Sequence, residues 1–240
     1  MTDWKRYWAT HPLQTGAQNY LEQVGKTVHG EPIPDSVLHH IVADIAHHLD
    51  LHQGDILLDL CCGNGLLTHH LAGHCHRVIG VDYSEPLVNI AKRDHQPENV
   101  IYLHASILDL EADSFPATEP FTKILMYECL QHFKPRDILK ILHLVGSVSS
   151  ASSVTLIGSI PDGNRRNHFY NTPKRRLAAF LRRLVGKDAI GTWWRYAEIA
   201  QVASEMGYGC RFVEQARQLH TAHYRFDMLL NRNPLRESDQ

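Results

Sequence analysis

The chain has 240 residues, 43% of them hydrophobic and 21% charged, which is ordinary for a soluble globular protein and enough for one α/β domain with a well-buried core. No apolar stretch reaches the roughly 18 residues needed to cross a bilayer, and MTDWKRYWATHP at the N-terminus lacks the apolar segment of a signal peptide, so the expected location is the cytoplasm. The formal net charge is -2, yet eight Lys/Arg and no acid fall between Gly163 and Lys187 (Arg165, Arg166, Lys174, Arg175, Arg176, Arg182, Arg183, Lys187), leaving 16 basic against 26 acidic residues elsewhere. Five cysteines, at 61, 62, 75, 129 and 210, lack the spacing of a disulfide framework or a zinc ribbon and read as reduced core thiols.

Residues 1–34 mix aromatic and polar side chains (Trp4, Tyr7, Trp8, Tyr20) and end in the breaker cluster GEPIP, the pattern of a leading arm with short helices. Over 35–51, Val37, Leu38, Ile41, Val42, Ile45 and Leu49 recur at helical spacing, with Asp35 as N-cap after Pro34. Apolar runs of strand length then alternate with helical patterns. Strand 56–60, helix 65–73, strand 77–82, helix 85–93, strand 100–104, strand 122–127, helix 136–148 and strand 153–160 follow in turn, the order of a parallel sheet covered on both faces. Beyond the basic segment come a helix at about 194–206, closed by Gly207, and strands 210–215 and 223–230, whose short connection predicts an antiparallel pair. The expected organisation is one domain over 1–240: an arm (1–34), a core (35–162), a basic cap (163–191) and a C-terminal helix with a strand pair (192–232).

The stretch ILLDLCCGNGLLT (56–68) brings a glycine-rich turn to the carboxyl end of the first strand, where ligands bind in such sheets. Gly63 and Gly65 let the backbone approach a ligand and let the next helix start tightly with free amides. Seventeen residues after Gly65, strand RVIGVD ends in Asp82, whose carboxylate can accept both hydroxyls of a ribose. Turn and distal acid together describe a nucleoside site. The dinucleotide spacing GxGxxG is absent, and VGKT (24–27) fails as a P-loop because Tyr20 stands at the required earlier glycine. Cys61 and Cys62 read as small packed side chains, since consecutive residues at a strand end point in opposite directions and two further ligands are lacking. His70 and His74 have the i, i+4 spacing of a helical metal pair, but Gly73 is expected to end the helix between them, so surface histidines and no metal are expected.

The order D-x-C-C-G-N-G, V-I-G-V-D-Y-S, H-A-S-I-L-D-L and M-Y-E-C-L-Q-H-F resembles the class I S-adenosylmethionine-dependent methyltransferases, in particular small-molecule and sugar O-methyltransferases, over about 20–160 with a weaker echo to 230. The resemblance implies an α/β, doubly wound, Rossmann-like sheet of seven strands, the last antiparallel, with a cap after strand five. It also implies S-adenosylmethionine as cofactor and S-adenosylhomocysteine as product. Asp59, Gly63 and Gly65 would form the methionine and ribose end of the site, with Cys61 at the family's usual first glycine. Asp82 would hold the ribose, and Tyr83 and Ile107 would flank the adenine. Ser106 stands where the family often has an aspartate on the adenine amino group.

Methyl transfer from a sulfonium is an in-line displacement, so the protein supplies alignment and, for a hydroxyl acceptor, a base. Strand TKILMY is followed by Glu128, Gln131 and His132. In O-methyltransferases of this class a similar E-x-L-x-H stretch supplies the base, which here falls on His132. SVTLIGSIPDGN puts Asp162 on the same rim, either to orient His132, to bind an acceptor hydroxyl, or simply to make the turn that PDG favours. Tyr127, Glu128, Tyr20, Gln23 and Lys26 are further pocket candidates, and Arg165 and Arg166 would meet an anionic acceptor.

Read as a helix, TPKRRLAAFLRRLVGKD places Leu177, Phe180, Leu181 and Leu184 on one stripe with Arg175, Arg176, Arg182 and Arg183 around it. Such a cap can lid the site, touch anionic lipid or nucleic acid, or be a solvated face. Nucleic acid is disfavoured because Met126-Tyr127-Glu128-Cys129 replaces the N/D-P-P-Y stretch that engages a flipped base, and membrane because the total charge is not basic. The expectation is therefore methylation of a hydroxyl on a small sugar-like or specialised metabolite, His132 being the base. N-methylation of a small amine is the near alternative. A nicotinamide-dependent oxidoreductase is disfavoured by the glycine spacing, and a non-catalytic cofactor-binding or membrane-associated protein would use the cap. Nothing in the sequence specifies an oligomeric state.

Overall fold

The strand and helix patterns build one seven-stranded sheet with helices on both faces. In the computed structural model, which describes residues 4–116, 119–184, 186 and 188–232, the strands are β1 (Ile56–Leu60), β2 (Arg77–Asp82), β3 (Val100–His104), β4 (Phe121–Tyr127), β5 (Ser149–Pro161), β6 (Tyr208–Glu214) and β7 (Arg225–Arg232). Their order across the sheet is β3-β2-β1-β4-β5-β7-β6. β1 to β5 run parallel, and β7 lies antiparallel between β5 and β6. The helices of seven residues or more are α1 (Trp4–Gln14), α2 (Asp35–Leu49), α3 (Leu66–Ala72), α4 (Glu85–Asp94), α5 (Ile138–Val148), α6 (Pro173–Leu184) and α7 (Tyr196–Glu205).

The parallel strands are apolar on both faces because both are covered. Leu58, Leu60, Val81, Ile124 and Ile157 pack in one core with Ile141 and Val145 of α5 and Ile199 of α7. Leu57, Val78, Tyr102, Leu125 and Leu156 pack in the other with Ile45 of α2, Leu71 of α3 and Val88 of α4. Each such buried aliphatic side chain contributes roughly 1.5–3 kcal/mol. The β strands thereby hold their carboxyl ends in one row, and the loops that follow them form the functional edge.

Most boundaries fall within two residues of expectation. α2 stops at Leu49 because Asp50 turns left-handed (φ 50) and its amide returns to Ala46 and His47. β5 differs more: it begins at Ser149, not 153, because the SSASS stretch carries no apolar alternation yet still reaches Phe121 of β4 through an irregular register. α6 ends at Leu184, and the rest of the expected helix includes Val185 and Lys187, which lie outside the described residues. Among the described residues no helix is long and apolar enough to cross a membrane.

Candidate active site

Strand order reverses between β1 and β4, and a cleft opens there at the carboxyl ends of the strands, where such sheets bind ligands. Of the predicted residues, Cys61, Gly63, Asp82, Tyr83, Tyr127, Glu128 and His132 line it, as does Lys26.

The wall from β1 and β2 is made by backbone shape. Cys61 (φ 64), Gly63 (φ 59) and Gly65 (φ 77) are all left-handed, folding the turn back under the cleft. A Cβ on Gly65 would stand 2.5 Å from Tyr102 Oη and 2.9 Å from Ala91 Cβ, so this glycine serves the packing of the turn against β3 and α4 and does not line the cleft. The Gly63 amide donates to Asp82 Oδ2 (3.0 Å) and the Ser84 amide to Oδ1 (2.8 Å). The Tyr83 amide also bonds this carboxylate, so three backbone amides hold it. Burial raises the Asp82 carboxyl to about 6 against the pull of these amides. Asp59 lies outside the cleft lining, buried, where Thr68 Oγ1 donates to it (2.6 Å); burial lifts it to about 7.

The wall from β4 and β5 is made by charge. Glu128 (φ 55) and Ser159 (φ 56) are also left-handed, Ser159 lying where the register of β5 against β7 shifts between Ile157 and Ile160. That bulge frees the Ser159 amide to donate to Asp227 Oδ1 (2.6 Å), while its carbonyl accepts from Arg225. Lys26 Nζ pairs with Glu128, and Ser159 Oγ donates to the other Glu128 oxygen (3.3 Å). Burial alone would raise the Glu128 carboxyl, but Lys26 and Arg225 bring it down to about 2. Burial raises Asp227 to about 6.

His132 stands in a short 3-10 turn after β4. Its Nδ1 is buried without a hydrogen-bond partner among the described residues. The arm covers the ring: Trp4 packs at 4.4 Å and Trp8 at 5.7 Å between centroids. The arm is pinned in turn by Tyr83 Oη, which donates to the Trp4 carbonyl (2.8 Å), and Ser84 Oγ, which donates to that of Trp8 (2.7 Å). Burial, aided by the Arg225 charge, lowers the imidazole to about 3, so it is neutral over the ordinary pH range.

Other predicted residues are placed elsewhere. Asp162 does not orient His132: its Oδ1 accepts from the Asn164 amide (2.8 Å) and its Oδ2 pairs with Arg165 (3.2 Å), so it shapes the turn. Arg165 is further engaged by Glu214 (2.5 Å) and Arg166 lies over the Trp193 ring (5.0 Å); neither lines the cleft. Tyr20 and Gln23 support the glycine turn from behind, the Tyr20 carbonyl and Gln23 Oε1 accepting from Asn64 Nδ2 (2.8 and 3.0 Å). Ser106 and Ile107 also stand outside the lining, Ile107 being buried in the core beside α5 and α7. Residues that sequence reasoning passed over are Asn64, Arg225 and Asp227; charges at the start of RFDMLL, an otherwise apolar strand, were the available signal. Trp4 and Trp8 were read as part of an aromatic arm, with no sign of what they cover.

Residues 57–150 match the family model described as a methyltransferase domain. The chain is 29% identical over 139 residues to the ubiquinone biosynthesis O-methyltransferase of Coxiella burnetii, covering 58% of this chain and 52% of that protein. It is 43% identical over 67 residues to the 2-phytyl-1,4-naphtoquinone methyltransferase of Thermosynechococcus vestitus, covering 25% of this chain and 30% of that one. It thus spans about half or less of the length of these curated relatives. Its fold is similar to that of the magnesium protoporphyrin IX methyltransferase of Synechocystis, solved with bound SAH, with a TM-score of 0.62 at 15% identity over 95% of this chain and 97% of that one.

Proposed function

We propose that this chain, which carries a class I S-adenosylmethionine-dependent methyltransferase domain, moves a methyl group to a hydroxyl of a small sugar-like or specialised metabolite in the cytoplasm. The observation that carries this reading is the pairing, in one cleft, of a buried Asp82 carboxylate held by backbone amides and a neutral His132 whose buried Nδ1 has no partner among the described residues. Bound S-adenosylmethionine supplies an electrophilic methyl group for in-line displacement. Asp82 accepts the ribose hydroxyls, Tyr83 lies beside the base, and the Gly63 turn carries the rest of the nucleoside. Lys26 and Glu128, opposite charges lining the same cleft, match the carboxylate and ammonium of the amino-acid end.

His132 takes the acceptor proton at Nδ1. Because its basicity is depressed, proton transfer accompanies methyl transfer and does not precede it. The tryptophan roof excludes water from that step and favours a small acceptor. The similar protein named as an O-methyltransferase supports oxygen as the receiving atom. The weak basicity of His132 favours the second reading, N-methylation, in which a neutral amine attacks unaided.

Isothermal titration with S-adenosylmethionine and S-adenosylhomocysteine tests the cofactor site. Micromolar binding is expected, weakened about 100-fold or more in Asp82→Ala through loss of charge-assisted hydrogen bonds. Absence of binding to the unaltered chain would overturn the reading. A positive result leads to an acceptor screen of anionic sugars, phenols and small amines, which separates oxygen from nitrogen.

A further inference from the structure

A surface helix of a globular domain ordinarily turns its apolar stripe inward. α6 does the reverse. Leu177, Phe180, Leu181 and Leu184 fall within one arc of the helix and are 61, 51, 54 and 68% exposed, whereas the residue it buries is Ala179, on the opposite side. Arg176 also turns inward, its Nε donating to the Tyr170 carbonyl (3.0 Å). Of the other exposed large hydrophobic residues among those described, Tyr7 and Leu13 lie on α1, Val28 precedes α2, and Leu139 lies on α5.

The flanks of the stripe are basic. Lys174 flanks it on one side and Arg183 on the other, on a segment that contains no acid from Gly163 to Lys187, although acids outnumber bases in the rest of the chain. We infer that α6 docks on the surface of an anionic lipid bilayer, its leucines and phenylalanine entering the acyl boundary and its cations meeting headgroup phosphates. One surface of this kind satisfies both halves of the pattern. A second copy of the chain does not, because a two-fold contact through α6 would set its cations against the same cations.

The docked helix is tied to the cleft. The chain returns from α6 through Thr192, whose amide donates to the Gln131 carbonyl (2.8 Å), and Trp194, whose Nε1 donates to the Leu130 carbonyl (3.1 Å). These carbonyls belong to the turn that carries His132. The inference rests on the orientation and charge of α6 and does not depend on the proposed reaction.

The test is co-sedimentation of the full chain with phosphatidylcholine vesicles containing about 40 mol% phosphatidylglycerol, compared with phosphatidylcholine alone. Binding to the anionic vesicles only, released by salt, is expected. Leu177→Ser combined with Leu181→Ser and Leu184→Ser should abolish it, and Lys174→Gln with Arg183→Gln should weaken it about tenfold or more. These side chains are exposed, so thermal unfolding should be unchanged in both variants. No sedimentation, or sedimentation indifferent to the triple variant, overturns the inference. So does ultracentrifugation showing a dimer that the triple variant dissolves, or binding to polyglutamate without binding to vesicles, which would assign the helix to a protein partner.

Discussion

The two walls of the cleft are held by different physics. The β1–β2 wall comes from one continuous stretch, residues 59–84, and its key side chain is fixed by backbone amides. The β4–β5 wall is gathered from Lys26, Glu128, Gln131, Ser159, Arg225 and Asp227, and its key side chains are fixed by one another. Shape governs the first, charge balance the second. A lost side chain should therefore cripple ligand binding on one side and the fold itself on the other.

Glu128→Ala is the severest way to expose that difference. It leaves Lys26 and Arg225, 6 and 7% exposed, without their common counter-charge, and should destabilise the protein by about 3 kcal/mol in chemical denaturation. Glu128→Gln, which keeps hydrogen bonding, should lose less. An Asp82→Ala chain should unfold at nearly the denaturant concentration of the parent; a loss equal to that of Glu128→Ala would erase the contrast between the walls.

His132→Ala comes next, with turnover down about 100-fold if the histidine is the base and cofactor affinity little changed. A fall under about threefold, read against the same principle, with an authentic acceptor would remove His132 from that role and leave amine methylation as the better reading.

The mildest probe is pH. Asp82, raised to about 6, must be ionised to accept both ribose hydroxyls, so cofactor affinity should drop about tenfold per unit as pH falls below that value. An Asp82→Asn chain should show a flat profile from that group. In the free protein the sign is opposite: because the folded state holds this proton more tightly, Asp82 subtracts stability as pH rises from 3.8 to about 6. Glu128, held down to about 2, adds stability above its ordinary 4.5 and loses it only as pH falls through that lower range. The two walls should separate along the pH axis.

The same contrast explains what could be read without coordinates. β1 and β2 are unbroken apolar runs ending in a glycine turn and an aspartate, so strand, turn and ligand-facing residue are contiguous and legible together. His132 could be placed because it directly follows β4. Arg225 and Asp227 could not, since their partners lie 66 and 68 residues away and only the folded sheet brings β7 beside β5. Of the roles open to Asp162 in the sequence, its bonds to the neighbouring Asn164 amide and Arg165 favour the turn, a choice that sequence spacing alone does not make. The outward turn of α6 was equally hidden, because an amphipathic pattern states that a stripe exists and not which way it faces.

Cys61, Glu128 and Ser159 carry a consequence for how such a protein can be improved. Each holds a side chain in a backbone region that disfavours anything but glycine by roughly 1–2 kcal/mol. Glu128 and Ser159 return that energy through bonds they alone can make. The Cys61 thiol instead meets that of Cys129, a weak hydrogen bond. An engineer seeking heat tolerance would therefore begin with Cys61→Gly, where robustness can rise while the charged wall is left untouched.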